Sequence, residues 1–124
     1  RLDASYSGFR LTPRPDPASR DSGAATFDGN TPVHQWQLHS TTWLNDRVEV
    51  TGSLFHVGKL RKHDVPAYTR ADAHVEVAIS KAFTVTLTGQ NLFAPLHREF
   101  SDVDDGLTQT FVRRSSAVAV RWRF

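Results

Sequence analysis

Three aspartates supply the first candidate for site chemistry in this sequence. Asp102, Asp104 and Asp105 precede Gly106, and together they provide half of the ligands that a calcium loop needs. An EF-hand, however, requires acidic residues at alternate positions and a glutamate at the twelfth, and neither requirement is met here. We therefore expect residues 102–106 to form a solvated acidic loop.

A second candidate is a pair of metal-ligating side chains. His74 and Glu76 are two residues apart, so a strand would point both to one side, where His39 of a neighbouring strand could complete a metal site. The polar walls of large β-barrels carry hydrogen-bonded residues of the same kinds. The sequence therefore favours a hydrogen-bonded wall, and no metal site is predicted.

Basic residues are concentrated between positions 59 and 63. Lys59, Arg61, Lys62 and His63 could attract an anionic ligand or the phosphates of lipopolysaccharide, but a solubilising loop has the same composition and is favoured. The chain has no paired catalytic carboxylates, no serine or cysteine triad context and no phosphate-binding glycine motif. Neither an enzyme nor a bound cofactor is predicted.

Composition narrows the class of protein further. The 15 basic residues are dispersed among 13 acidic ones, for a net charge of +2, so nucleic acid is not expected as a partner. Cysteine is absent, which removes disulfides and thiolate chemistry. Methionine is absent too, and the chain opens in the middle of a pattern at Arg1, so we expect a fragment whose upstream part is missing.

Hydropathy leaves two classes open. The mean hydropathy of −0.42 resembles that of a soluble protein, and the longest clean apolar run covers only residues 117–120. A transmembrane helix would need about 20 consecutive apolar residues. The chain is therefore either soluble or crosses a membrane as strands, which carry their apolar residues at alternate positions.

The last ten residues are the most informative element. Val118, Val120, Trp122 and Phe124 alternate with small and basic residues, so a strand here has one apolar face with its aromatic rings at the end. A strand of about ten residues with this pattern fits the lipid-facing wall of a membrane barrel better than a soluble sheet.

Six segments have strand character: 2–11, 33–44, 47–58, 68–79, 83–92 and 115–124. Alternation is clearest in 68–79 and 83–92, whereas in 33–44 apolar and polar residues share a side and the facing stays open. All 6 prolines fall in the longer connections. Connections that run long, short, medium, short and long predict an all-β, antiparallel up-and-down transmembrane β-barrel.

The end of the chain then predicts the topology. The final strand of an outer-membrane barrel ends at the periplasmic rim, so the tight turns at 45–46 and 80–82 should also be periplasmic. The connections 12–32, 59–67 and 93–114 should face outward, and we expect the last of these to be a mobile surface loop.

Four motifs occur in a characteristic order along nearly the whole chain. They are Gly29-Asn30-Thr31-Pro32 with His34-Gln35, Val65-Pro66-Ala67-Tyr68-Thr69, Gly89-Gln90-Asn91-Leu92-Phe93 and Val120-Arg121-Trp122-Arg123-Phe124. In order and spacing the chain resembles the C-terminal end of a TonB-dependent outer-membrane receptor. The resemblance implies a barrel of about 22 strands, of which these are the last six. A plug domain and a TonB-contacting segment should precede Arg1.

The resemblance also implies function, location and partners. A receptor of this family would bind a ferric siderophore or similar scarce nutrient at the bacterial outer membrane and import it with energy delivered through TonB. Val118, Val120, Trp122 and Phe124 would be the signal read by the barrel-assembly machinery. Outer-membrane lipid and lipopolysaccharide would surround the barrel.

The final long connection carries candidate ligand-facing residues, namely His97, Arg98, Phe100 and Phe111. They could contact a ligand from outside, although loop aromatics also pack loops against each other. Two other classes remain open from the residues alone. One is a passive porin or structural outer-membrane barrel, and the other is a soluble lipocalin-like barrel, whose apolar face points inward with the same alternation.

Overall fold

The computed structural model describes residues 1–12, 14, 16, 18, 31–61, 64–100 and 110–124. All regular secondary structure in these residues is β-strand, which confirms the all-β class. No helix in this part of the chain is long and apolar enough to cross a membrane. The acidic cluster at 102–106, Lys62, His63, Gly29 and Asn30 lie outside the described residues.

Eight strands are present in the described residues: β1 Leu2–Gly8, β2 His34–Asn45, β3 Val48–Val57, β4 Tyr68–Ala78, β5 Phe83–Gln90, β6 Leu96–Phe100, β7 Thr110–Arg113 and β8 Ser115–Trp122. Six of them form one sheet in the order β1-β2-β3-β4-β5-β8, in which every neighbouring pair is antiparallel. The six predicted strands are confirmed, with ends displaced by a few residues. The sheet is open, since β1 and β8 form its two edges.

Both short turns lie at one end of this sheet. The Asn45 side chain caps the first turn by accepting a hydrogen bond from the Arg47 N–H at 2.9 Å. Ser80 and Phe83 close the second through a reciprocal pair of backbone hydrogen bonds. The Arg123 N–H reaches the Ala82 carbonyl at 2.9 Å, so the chain terminus lies at the same end. The strand ends that the three longer connections join lie at the opposite end of the sheet.

The connection 93–114, predicted as a mobile surface loop, contains two strands. They are its two arms, β6 and β7, which pair as an antiparallel hairpin, and the Arg114 N–H donates to the Pro95 carbonyl at 3.1 Å. Neither arm alternates strictly between apolar and polar residues, so the sequence pattern did not identify these strands. Residues 101–109, between the arms, lie outside the described residues.

Burial is confined to a few positions, because the large sheet is a single layer. Among the described residues, the buried apolar side chains are Val65 and Ala71, and Asn91 is the buried polar one. All three lie toward the end of the sheet that carries the hairpin. Everywhere else both faces of the sheet are half-buried or exposed.

Candidate functional site

The first functional feature is the apolar face of the sheet, defined as the side that carries Val118 and Val120. Cross-strand pairing aligns its side chains in rows that run across four strands. One row is Val48, Val77, Val85 and Val120, and the next is Val50, Val75, Leu87 and Val118. The alternation predicted for β3, β4, β5 and β8 is therefore realised as one continuous apolar surface.

The end of the chain exposes this surface most strongly. Val118 is 68% and Trp122 71% exposed, and Phe124 is fully exposed. The rings of Trp122 and Phe124 meet edge to face with their centroids 6.1 Å apart. Contiguous exposed apolar surface of this kind is typical of protein, membrane or ligand interaction sites.

The opposite side, here called the polar face, carries hydrogen bonds between side chains of neighbouring strands. His39 Nδ1 lies 2.8 Å from Ser53 Oγ, and His74 Nδ1 lies 3.2 Å from Thr88 Oγ1. No group of three metal-ligating side chains occurs among the residues that the structure describes. His39 and His74 instead belong to separate cross-strand pairs with hydroxyl groups, as a hydrogen-bonded wall requires.

The motif at residues 89–93 ends β5 and redirects the chain. Gly89 leaves room for the Leu92 side chain, because an added Cβ would lie 2.9 Å from Leu92 Cδ2. The Leu92 N–H donates to the Ala71 carbonyl at 2.8 Å, whereas Gln90 Oε1 accepts a hydrogen bond from Ser115 Oγ at 3.3 Å. Phe93 is exposed at the start of the hairpin connection.

Asn91 is the centre of this motif. It has a positive φ of 53°, a left-handed conformation that asparagine tolerates better than most residues, and its relative exposure is 0%. Its N–H donates to Asp72 Oδ1 at 2.9 Å, and its side-chain Nδ2 donates to the Val112 carbonyl at 3.0 Å. Asn91 therefore joins β4 to β7.

His97 joins the other arm of the hairpin to the same residue. Its Nδ1 lies 3.0 Å from Asn91 Oδ1, and its Nε2 lies 2.9 Å from Glu99 Oε1. The imidazole stacks on Tyr68 at a centroid distance of 4.4 Å and is only 7% exposed. We refer to Tyr68, Asp72, Asn91, His97 and Glu99 as the hairpin cluster.

An ion pair on β4 connects Arg70 to Asp72 of the hairpin cluster. Arg70 binds Asp72 through two hydrogen bonds, from Nε at 3.0 Å and from Nη2 at 2.7 Å. The guanidinium also lies 5.8 Å from the centre of the Phe55 ring. Phe55 interrupts the polar alternation of β3, and its contact with Arg70 explains why an aromatic residue stands there.

The ligand-facing candidates have different environments. Arg98 and Phe111 line a cleft of about 470 Å³ between the hairpin and the start of β4, with Tyr68 and Asp64 on the other side. Arg98 lies 5.7 Å over the Phe111 ring. His97 also borders the cleft, although its nitrogens are engaged in the hairpin cluster, and the Phe100 side chain lies outside the described part of the chain.

The remaining basic candidates do not form a patch in the described residues. Lys59 Nζ lies 3.7 Å from Asp64 Oδ1, and both groups are exposed. The surrounding chain is held by a bridge between Leu60 and Val65, whose side chain is buried.

Comparison with protein-family models, with curated proteins and with solved structures finds no match to this chain. The functional assignment therefore depends on the geometry of the sheet and of the hairpin cluster.

Proposed function

We propose that this chain is the C-terminal part of the barrel of a TonB-dependent receptor in the bacterial outer membrane, which imports a ferric siderophore or similar scarce nutrient. The observation that carries the proposal is the open antiparallel sheet, one face of which is apolar and half-exposed to exposed, while side chains on the other form cross-strand hydrogen bonds. Lipid would cover the first face, and the second would line a lumen.

The two open edges support a larger assembly. A sheet edge inside hydrocarbon leaves backbone N–H and C=O groups without partners, and each such group costs several kcal/mol. Strands upstream of Arg1 would pair with β1 and close the barrel against β8. The full-length protein, rather than this chain alone, is therefore the unit that would reside in the membrane.

The C-terminal side chains support recognition during assembly. Trp122 and Phe124 are exposed, and their rings meet edge to face next to the apolar side chains of β8. These are the features that the barrel-assembly machinery would read according to the family resemblance. The TonB complex would act through the upstream part, and lipopolysaccharide would contact the outer rim.

The longer connections and the hairpin cluster support a receptor over a passive barrel. The hairpin cluster lies at the end of the sheet where these connections begin, and the cleft lined by Tyr68, Arg98 and Phe111 there offers a place for a ligand, as a receptor requires. The same sheet geometry is also compatible with a passive porin, so the experiment must distinguish a receptor from a porin.

The experiment fractionates cells that produce the full-length protein and measures ligand uptake with and without functional TonB. We expect a heat-modifiable band in the outer membrane and uptake that stops when TonB is removed. Outer-membrane location with TonB-independent uptake would indicate a passive barrel. Recovery in the buffer-soluble fraction would indicate a lipocalin-like protein and would contradict the proposal.

A further inference from the structure

The cleft between the hairpin and the start of β4 has the size and lining of a small-molecule site. Its volume of about 470 Å³ lies within the range of about 300–1,000 Å³ that is typical of ligand pockets. Leu96 and Phe111 form its wall on the hairpin side, and Pro66 and Tyr68 form the wall on the other side. Leu96 and Phe111 are each 47% exposed, so both keep apolar surface that a ligand can cover. This lining suits an apolar or aromatic body.

Arg98 brings a positive charge to the cleft. Its guanidinium carbon lies 5.7 Å from the centre of the Phe111 ring, in a cation–π contact that holds the group beside the aromatic wall. Arg98 Nε is enclosed by protein and has no hydrogen-bond partner among the described residues. An enclosed charged donor without an acceptor is unfavourable. An anion bound to the same guanidinium would offset part of that cost.

The neighbouring charges leave Arg98 to select the charge of a ligand. Asp64 also lines the cleft, but its side chain is 89% exposed and its carboxylate lies 3.7 Å from Lys59 Nζ. Water and Lys59 therefore screen the negative charge of Asp64. The carboxylate of Glu99 contacts His97 Nε2 at 2.9 Å, inside the hairpin cluster.

We propose that this cleft binds a small aromatic carboxylate, with the carboxylate on Arg98 and the ring between Phe111 and Tyr68. A guanidinium is planar and donates two parallel hydrogen bonds to a carboxylate. One guanidinium balances the single charge of a carboxylate, whereas a phosphate monoester carries a charge of about −1.5 to −2. The inference rests on the proposed function, because it names the chemical class of ligand that the receptor would bind at its outer rim.

Equilibrium binding to the purified full-length protein in lipid vesicles tests the proposal. The probes are naphthoate, its uncharged analogue naphthalenemethanol and naphthyl phosphate, each followed by ligand-observed NMR and corrected for uptake by vesicles without protein. We expect naphthoate to bind about tenfold more tightly than naphthalenemethanol, since only naphthoate makes charge-assisted hydrogen bonds. Naphthyl phosphate should bind no more tightly than naphthoate.

Variants of two arginines make the test specific. Arg98→Gln should abolish the preference for naphthoate over naphthalenemethanol. Because Arg98→Gln also removes the cation–π contact with Phe111, Arg98→Lys provides a second test: it keeps the charge and should retain part of the preference. The matched control is Arg113→Gln, because Arg113 is an exposed basic residue of the same hairpin that pairs with Leu96 and lies outside the cleft lining. It should bind both probes as the unmodified protein does.

The proposal is overturned if the unmodified protein shows no preference for naphthoate, or binds naphthyl phosphate more tightly. It is also overturned if Arg98→Gln keeps the preference, or if Arg98→Lys or Arg113→Gln loses it entirely. Binding is measured without TonB and without transport. TonB-independent uptake would therefore contradict the proposed function and leave the ligand class standing, whereas loss of the preference would contradict the ligand class alone.

Discussion

Replacing Val118 by arginine tests the assignment of the two faces most quantitatively. Val118 lies in the middle of β8 opposite Leu87, and its side chain is 68% exposed on the apolar face. Its sequence neighbour Ala119 lies opposite Thr86 on the polar face. The two substitutions introduce the same charge at nearly the same height and differ only in the face that receives it.

The expected magnitude follows from the depth of Val118. In the proposed barrel Trp122 would lie at the membrane interface, and Val118 is four residues away, or about 13 Å along the strand. A strand tilt of about 45° converts this to a depth of about 9 Å, within an apolar band about 25 Å tall whose midplane lies about 12 Å deep. Val118→Arg should therefore lower the free energy of unfolding by about 2–4 kcal/mol.

Ala119→Arg should lower the free energy of unfolding by less than about 1 kcal/mol, because the proposed water-filled lumen would hydrate the guanidinium. The assay is reversible denaturant unfolding of the full-length protein in lipid vesicles, followed by the electrophoretic shift of the folded barrel. Val85→Arg, which faces the same side on β5, should repeat the Val118 result. Equal penalties on both faces, or a larger penalty at Ala119, would refute the face assignment.

Three further predictions concern the chain terminus, a close backbone approach and the buried asparagine. Deleting Phe124 should reduce the yield of folded barrel in the outer membrane by far more than the lost burial of one side chain, about 1.5–3 kcal/mol, would cause. The control variant Arg123→Ala should assemble normally. Equal yields of the two variants would contradict an assembly role for Phe124. Gly58→Ala should destabilise the protein, because the added Cβ would lie 2.9 Å from the His34 carbonyl oxygen. Gly52→Ala should be tolerated, because an added Cβ there meets no atom within 4 Å. Thermal unfolding of both variants measures the difference. Asn91→Ala should lower the free energy of unfolding by about 2–4 kcal/mol, because two side-chain hydrogen bonds are lost and alanine is strained at a positive φ. Asn91→Gly should remove the backbone strain but not restore the hydrogen bonds. Full recovery of stability by glycine would show that the side-chain hydrogen bonds contribute nothing.

Alternation was sufficient to predict the large sheet and most of its facing. A period of two places every second residue on one side, and the observed rows of β3, β4, β5 and β8 follow it. β2 was ambiguous because it carries polar residues on the apolar face, where Ser40 pairs with Gly52 and Thr42 with Val50. The register shift between Trp43 and Asn45 changes the phase of alternation only at the end of the strand.

The hairpin cluster could not be predicted from the sequence. Arg70 and Asp72 could be placed on one face from their spacing of two, but nothing in the pattern indicated that Asn91 would bind Asp72 from 19 residues away. The left-handed conformation of Asn91 directs the chain toward β6, and a single residue gives no periodic signal. His97 was identified only as a ligand-facing candidate, and its contact with Asn91 depends on that turn.

Site-directed spin labelling along β8 tests the central proposal of a membrane-facing wall most directly. The chain has no cysteine, so single cysteines at positions 116–121 of the full-length protein introduce one label each within this region. The labelled protein is reconstituted in lipid vesicles and exposed to oxygen, which partitions into lipid, and to a water-soluble nickel complex. We expect oxygen access at 116, 118 and 120 and nickel access at 117, 119 and 121. Labels at 118 and 120 that are shielded from both reagents, or reached by nickel alone, would contradict it.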